Sequence, residues 1–333
     1  MHRMLARLAL AILLLPALVG APAAAQVHPA EDGATFPNRT IRIVVPFPAG
    51  GPSDIVARLI GQKMSEDWGQ PVIIDNRPGA NTVIGAQVVA KAVPDGYTLL
   101  MAIDSTLTMN QHLYRSLAYD PLNDFAPITT TAKSMSLVAV SAATGPQTVK
   151  ELMAKAKAMP GKLNYGGGTI TTQLMGAMFN KAAGLDIVYV PFKGTPETVQ
   201  GLLTGSVDLI YAASAIVMPL AQSGQIRLLA RMDSRKHPSL PDLPTMADAA
   251  ELPGFEDVSV WLGLVAPKGT PKAIVDKLQR KVTEILADPA VRERSERTGN
   301  YVATSTPEEF SAFIVKEADR WSKVLKQTNI RYD

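Results

Sequence analysis

Cysteine is absent from all 333 residues. That excludes a disulfide framework, a thiolate metal site and a lipid-modified cysteine behind a leader. Histidine is scarce. His2, His28, His112 and His237 are scattered and form no H-E-x-x-H pair, and the acids show no metal-ligand spacing. No G-x-S-x-G elbow occurs, and Ser105 and Ser134 have no recognisable base partner. The chain is therefore expected to hold no metal and no cofactor, to contain no catalytic residue, and not to be an enzyme. Neither charge sign dominates: the net charge is +3, and Lys and Arg are interleaved with Asp and Glu. That pattern is a solvated face without a basic stripe, so nucleic acid is excluded as a partner.

Long apolar runs are also missing, apart from one at the start. Arg3 and Arg7 precede the apolar stretch Leu8–Val19, and the small residues Ala23 and Ala25 follow. The stretch falls short of the roughly 20 residues of a spanning helix. It reads instead as a signal peptide over 1–25, cleaved near Ala25, which places the mature chain in the periplasm. Losing Arg3 and Arg7 takes the net charge to about +1. The remaining chain of about 308 residues is long enough for two domains held by apolar cores alone.

What is present is a regular alternation. Ile41–Val45 reads as a buried strand and the segment from Ser53 as an amphipathic helix with Ile55, Val56, Leu59, Ile60 and Met64 along one stripe. Strands at Val72–Asp75 and Tyr97–Ala102 bracket a helix over Val83–Lys91. The pattern resumes with strands at Ser136–Val140, Leu163–Tyr165, Ile187–Val190, Val207–Tyr211, Ile226–Ala230 and Val260–Val265. Helices at Val149–Met159, Thr171–Ala183 and Pro196–Thr204 separate several of them. Three C-terminal helices open at Pro271, Pro289 and Pro307, where a first turn tolerates proline. Strand–helix alternation predicts an α/β fold of mostly parallel sheets flanked by helices. A weak echo between 41–60 and 163–183 suggests two similar lobes.

The chemistry should sit in the loops beyond the strand ends. Phe47-Pro48-Ala49-Gly50-Gly51-Pro52-Ser53-Asp54 lies between a strand and a helix start. So does Tyr165-Gly166-Gly167-Gly168-Thr169-Ile170-Thr171-Thr172 in the second half. Glycines admit a ligand close to the backbone, and helix starts offer unpaired N–H groups with partial positive charge. Neither loop ends in the Lys-Ser/Thr of a Walker loop or contains G-x-G-x-x-G, so a small anion fits better than a nucleotide. The candidate ligand residues are Phe47, Ala49, Gly50, Gly51, Ser53, Asp54, Tyr165, Gly167, Gly168, Thr169, Thr171 and Thr172. Two further junctions add Asp104 and Ser105, and Lys193 and Gly194. Asp54 also suits helix capping or bracing. Asp104 either accepts a hydrogen bond from a donor on a bifunctional ligand or caps the helix after it. Lys133 is placed either to pair with Asp104 or to hold a second ligand carboxylate.

The same loops resemble the Bug family, the substrate-binding receptors of tripartite tricarboxylate transporters. The resemblance is carried by Val44-Val45-Pro46-Phe47-Pro48-Ala49-Gly50-Gly51-Pro52-Ser53-Asp54, by Asp75-Asn76-Arg77-Pro78-Gly79-Ala80 and by Pro94-Asp95-Gly96-Tyr97-Thr98-Leu99. It continues through Pro160-Gly161-Lys162-Leu163-Asn164-Tyr165, Val190-Pro191-Phe192-Lys193-Gly194, Leu240-Pro241-Asp242-Leu243-Pro244-Thr245 and Leu264-Val265-Ala266-Pro267-Lys268-Gly269-Thr270-Pro271. It implies a two-lobed periplasmic-binding-protein fold of type II with two crossovers. Lobe 1 is then discontinuous, over 36–135 and 258–333, and lobe 2 spans 136–257.

The resemblance also implies a monomer that closes on a small organic carboxylate, dicarboxylate or aromatic acid. The loops 47–53 and 165–172 would grip the acid and a large and a small membrane permease subunit would receive it. A sensory co-receptor for a membrane kinase would use the same closure, and a periplasmic α/β enzyme is the reading from another class. The sequence departs from the family pattern at Asp104, at Asn110-Gln111 in place of Asn-Pro, at Tyr211-Ala212-Ala213-Ser214 and at Lys133. All of these lie where the far end of a ligand is expected.

Overall fold

The computed structural model describes residues 34–332 apart from 238, 254–257, 298–299, 327 and 329. The leader read at 1–25 lies outside the described residues. Among them, no helix is long and apolar enough to cross a membrane.

Two sheets carry the chain. The first contains β1 (Ile41–Val45), β2 (Val72–Asn76), β3 (Thr98–Ile103) and β4 (Phe125–Ser134). The second contains β5 (Ser136–Ser141), β6 (Asn164–Gly167), β7 (Val188–Pro191), β8 (Leu209–Ala213) and β9 (Ile226–Arg231). The chain then returns to the first sheet with β10 (Val260–Pro267) and β11 (Asn300–Val302). The strand orders are β11-β4-β10-β3-β1-β2 and β7-β6-β8-β5-β9. Met135 alone separates β4 from β5, so one residue carries the first crossover.

Both sheets are mixed, which corrects the expectation of mostly parallel ones. β1 pairs in parallel with β2 and β3, but β10 runs antiparallel to β3 and β4, and β11 antiparallel to β4. In the second sheet β6 is parallel to β7 and β8, while β5 is antiparallel to β8 and β9. The physical reason is connectivity. Strands joined through a covering helix come back parallel, whereas β5 and β10 arrive from the other sheet and are free of that constraint.

The helices follow the apolar stripes. α1 (Pro52–Trp68) buries Val56, Ala57, Ile60 and Met64 against the first sheet. α2 (Val83–Ala90) and the short α3 (Asn110–Leu113) complete that half. α4 (Val149–Ala158), α5 (Ile170–Ala183), α6 (Thr195–Leu203), α7 (Ser214–Gln222) and α8 (Met246–Ala250) flank the second sheet. α9 (Lys272–Ala287), α10 (Pro289–Arg297) and α11 (Pro307–Leu325) close the chain. In α9 Ile274, Leu278, Val282 and Ile285 are all buried, as their spacing predicts.

α11 joins two cores. It starts on a capping box of Thr306 and Glu309 with Pro307 in its first turn. Phe310 and Ile314 near its start pack with Leu100 and Trp261 of the first half. Trp321 and Leu325 near its end pack with Tyr165, Phe179 and Tyr211 of the second. Gly263 in β10 makes the first contact possible, because a Cβ there would stand 2.2 Å from the Phe310 ring.

Candidate functional site

Between the two sheets lies a narrow pocket of about 40 Å3. One wall is made of helix starts. Gly51, Pro52 and Ser53 open α1, Thr169 and Thr172 open α5, Gly194, Thr195 and Pro196 open α6, and Ala213 precedes α7. Phe47 and Pro48 form a lip beside them. The rest of the lining comes from Ile103 at the end of β3, Val260 and Leu262 of β10, and Ser134 and Ser136 on either side of the crossover, which adjoins the start of α7 because Ser214 N donates to Met135 O. No charged side chain is among the described residues lining it.

The helix starts are not equivalent. α5 is closed by its own capping box, with the Thr169 hydroxyl accepting from Thr172 N at 3.1 Å and the Thr172 hydroxyl accepting from Thr169 N at 3.1 Å. α1, α6 and α7 have Gly51, Gly194 and Ala213 at the N-cap, and no side chain caps them. Pro52 and Pro196 carry no N–H and Ser214 N donates to Met135 O, but the other first-turn amides of these helices have no side-chain cap, and the helix starts keep their partial positive charge at the pocket lining. That suits a carboxylate, which needs donors and positive potential but no lysine or arginine.

Asp54 holds the α1 loop in shape. It is 2 % exposed, and its Oδ2 accepts from Gly50 N and from Arg58 Nε, both at 2.9 Å. Its Oδ1 accepts from Asn76 Nδ2 at 3.0 Å, and the same amide donates to Phe47 O. Burial raises the Asp54 pKa, but the hydrogen bonds from Arg58, Gly50 and Asn76 and the Arg58 charge outweigh it. The carboxyl is held below its ordinary range. The bracing reading of Asp54 is thus what the geometry shows. Ala49 and Gly50 are exposed at the tip, Gly50 with φ +83°.

The glycines of the second loop serve packing. A Cβ on Gly167 would meet Thr172 Oγ1 at 2.6 Å, and one on Gly168 would meet the backbone of Gly194 at 2.4 Å. Tyr165 is buried beside Tyr189 and Tyr211, and its hydroxyl donates to Gln173 O at 3.0 Å. By contrast, a Cβ on Gly51 would touch only Pro48 O, at 3.7 Å. The two halves meet closely here, since a Cβ on Gly194 would stand 3.4 Å from Cδ of Pro48.

Asp104 has no exposure and joins the halves directly. Its Oδ2 accepts from the Thr171 hydroxyl at 2.8 Å, and its Oδ1 accepts from Ser105 N at 2.7 Å as cap of the π-helical turn Ser105–Met109. Burial pushes its pKa up to about 7, even though both hydrogen bonds favour the charged form. A second link lies farther along, where the Tyr332 hydroxyl donates to Gln173 Oε1 while its ring stacks on Tyr114 at 5.4 Å. Lys133 does not pair with Asp104; its ammonium lies 5.7 Å over the Phe313 ring.

Ser105, Gly168, Thr169 and Lys193 border a wider chamber of about 620 Å3 on the neighbouring side of the interlobe gap. Lys193 is exposed there, and its amide donates to Glu197 Oε2 at 2.8 Å. Of the sequence candidates, Phe47, Gly51, Ser53, Thr169, Thr172 and Gly194 come together in the narrow pocket. Thr195 lies in the Lys193-Gly194 junction and Ala213 in the Tyr211–Ser214 stretch expected near the ligand, whereas Ser134 and Ser136 were not anticipated as lining residues. The available signal was Ser134-Met135-Ser136, two serines just before the apolar run Leu137–Val140.

The comparisons agree with this architecture. Residues 56–330 match the family described as the tripartite tricarboxylate transporter family receptor. Protein BugT of Bordetella pertussis is 33 % identical over 300 residues, covering 89 % of this chain and 91 % of its own length. Among solved structures, Rpa4515 of R. palustris with adipate is 34 % identical with a TM-score of 0.85, covering 89 % of this chain and 99 % of its own. MatC of Rhodopseudomonas palustris with bound malate is 33 % identical with a TM-score of 0.81, covering 87 % and 100 %. The family and these neighbours are solute-binding receptors, not enzymes. The chain belongs to the tripartite tricarboxylate transporter receptor family, the Bug proteins, and is a two-lobed α/β solute-binding protein.

Proposed function

We propose that this protein, exported after cleavage near Ala25, captures a small organic carboxylate in the periplasm. It then delivers the acid to a membrane transporter of one large and one small permease subunit. The observation that carries the ligand class is the set of starts of α1, α6 and α7 without side-chain caps, on a pocket whose described lining residues include no charged side chain. Each helix start contributes about 0.3–1 kcal/mol toward an anion at an exposed site and up to about 2 in a partly buried one. Adipate and malate in the two relatives support the same class.

In this reading the lobes are 36–135 with 258–333, and 136–257, and they close as one carboxylate enters. Gly51 and Ser53, Thr169 and Thr172, and Gly194 surround the acid. Asp54 shapes the first loop, and Asp104 and Thr171 fasten the lobes beside it. Thermal denaturation with a panel of mono-, di- and aromatic acids tests the class. A true ligand at 100 times its dissociation constant adds about 2.7 kcal/mol of stability. Stabilisation by sugars or cations but by no acid overturns the reading.

A further inference from the structure

The bond between Asp104 and Thr171 crosses from one half of the molecule to the other directly behind the site. Ile103, the residue before Asp104, and Thr172, the residue after Thr171, both line the narrow pocket. Ser105 and Ile170, on their other sides, border the wider chamber. Neither Asp104 nor Thr171 has any exposure. Met109, whose Sδ lies 3.9 Å from the Thr171 hydroxyl, packs into the core of the second half beside them.

Among the described residues no cation answers this carboxylate. Its oxygens receive only the Thr171 hydroxyl and Ser105 N. β3 and the turn Ser105–Met109 carry no charged residue, and α5 carries only Lys181, near its far end. α11 presents Glu317, which opposes the Asp104 charge, and Arg320, which favours it. Those two pair with each other at 3.4 Å, so they largely offset one another at Asp104. His112 on α3 is turned to Ala318 O.

We propose that the receptor binds its acid anion together with one proton, and that the proton sits on Asp104. This rests on the carboxylate-receptor reading and adds a second ion to what is bound. Two effects drive the uptake, and both have the same sign. While the lobes stand apart the carboxyl meets water and is ionised. Closing them takes it out of water without a countercharge, which favours the neutral acid. An anion in the pocket, one residue away, repels the same charge. Burial alone pushes the Asp104 carboxyl up to about 7, and a bound anion pushes it further in the same direction. The contact serves either form. The proton comes from solvent, and protonated Asp104 donates from Oδ2 to the Thr171 oxygen, whose own hydroxyl turns to Met109 Sδ.

The bound state holds the proton more tightly than the free state. Affinity therefore falls as pH rises toward the bound-state value, by up to about tenfold per pH unit. The test is calorimetric titration of the mature protein at about pH 6.5 in two buffers of different ionisation enthalpy. The probes are acetate, benzoate, malate and adipate, all largely ionised there, and any other acid of the broader panel that binds is titrated in the same way. Binding should take most of one proton from the buffer in wild type and none in Asp104→Asn. The dissociation constant of the variant should be nearly independent of pH between about 6 and 8. Equal heats in both buffers with wild type, or uptake that persists in Asp104→Asn, overturns the proton site while the receptor reading stands. If no acid of the panel binds, the receptor reading fails and the proton site with it. Should the variant not fold, carboxyl-carbon NMR of aspartate-labelled wild type decides. One aspartate should titrate well above the rest and move higher when the acid is added, and the absence of that movement overturns the proposal.

Discussion

The loops at Phe47–Asp54 and Tyr165–Thr172 look alike in sequence, each a strand end, a glycine run and a helix start. In the structure they do different jobs. The first is braced from behind by Asp54, Asn76 and Arg58, leaves the start of α1 without a side-chain cap, and has room at Gly51 for a side chain. The second closes its own helix with Thr169 and Thr172, and its glycines are filled against by Thr172, Tyr189 and Gly194. A glycine run beside a helix start leaves donors for an anion where, as at α1, no side chain caps the helix. When the helix caps itself, the same run is a packing device.

The difference can be broken at either loop. The largest effect is expected at Gly168, where a side chain would collide with the Gly194 backbone, which cannot swing aside as a side chain does. Gly168→Val should destabilise the protein by about 3 kcal/mol or more, in the range of severe overpacking. Urea unfolding checks this, and a loss under 1 kcal/mol would erase the contrast. Gly51→Val, by comparison, should stay within about 1 kcal/mol of wild type, since its Cβ has only one ordinary contact.

A pH-dependent effect concerns the interlobe bond. The folded pKa of Asp104, about 7, lies above the ordinary value of about 3.9 for an unfolded aspartate. The folded state therefore holds the proton more tightly than the unfolded state does. Its contribution to stability falls as pH rises from about 4 to about 7 and is level above that. Asparagine at 104 cannot ionise, and its amide can donate to Thr171 Oγ1 while its oxygen accepts from Ser105 N. Asp104→Asn should therefore gain on wild type steadily between pH 4 and 7 in thermal melts. Parallel pH profiles would show that Asp104 does not titrate in that window.

Much of this architecture was legible in the sequence. The stripe of α9 and the starts of α10 and α11 at Pro289 and Pro307 lie where periodicity and proline placed them, because those signals are local. Strand direction was not legible. The antiparallel course of β5 and β10 depends on which sheet the chain comes from, and no local residue encodes that. The same limit applies at the site. Phe47, Gly51, Ser53, Thr169, Thr172 and Gly194 were found from loop chemistry. Ser134 enters the pocket only because β4 ends beside β10, a pairing between Ser134 and Val260 that lie far apart in the chain. Asp104 has the charge of a ligand residue, but its partner Thr171 stands 67 positions away.

The central claim is that the uncapped start of α1 grips a carboxylate through its backbone. Native mass spectrometry of the protein purified without refolding, wild type beside Gly51→Val, tests it most directly. The account predicts that wild type carries a small-acid adduct, and that the folded Gly51→Val protein has lost it because the new side chain occupies the carboxylate's place. Equal acid occupancy in the two proteins, or an adduct that is not an acid, would contradict it.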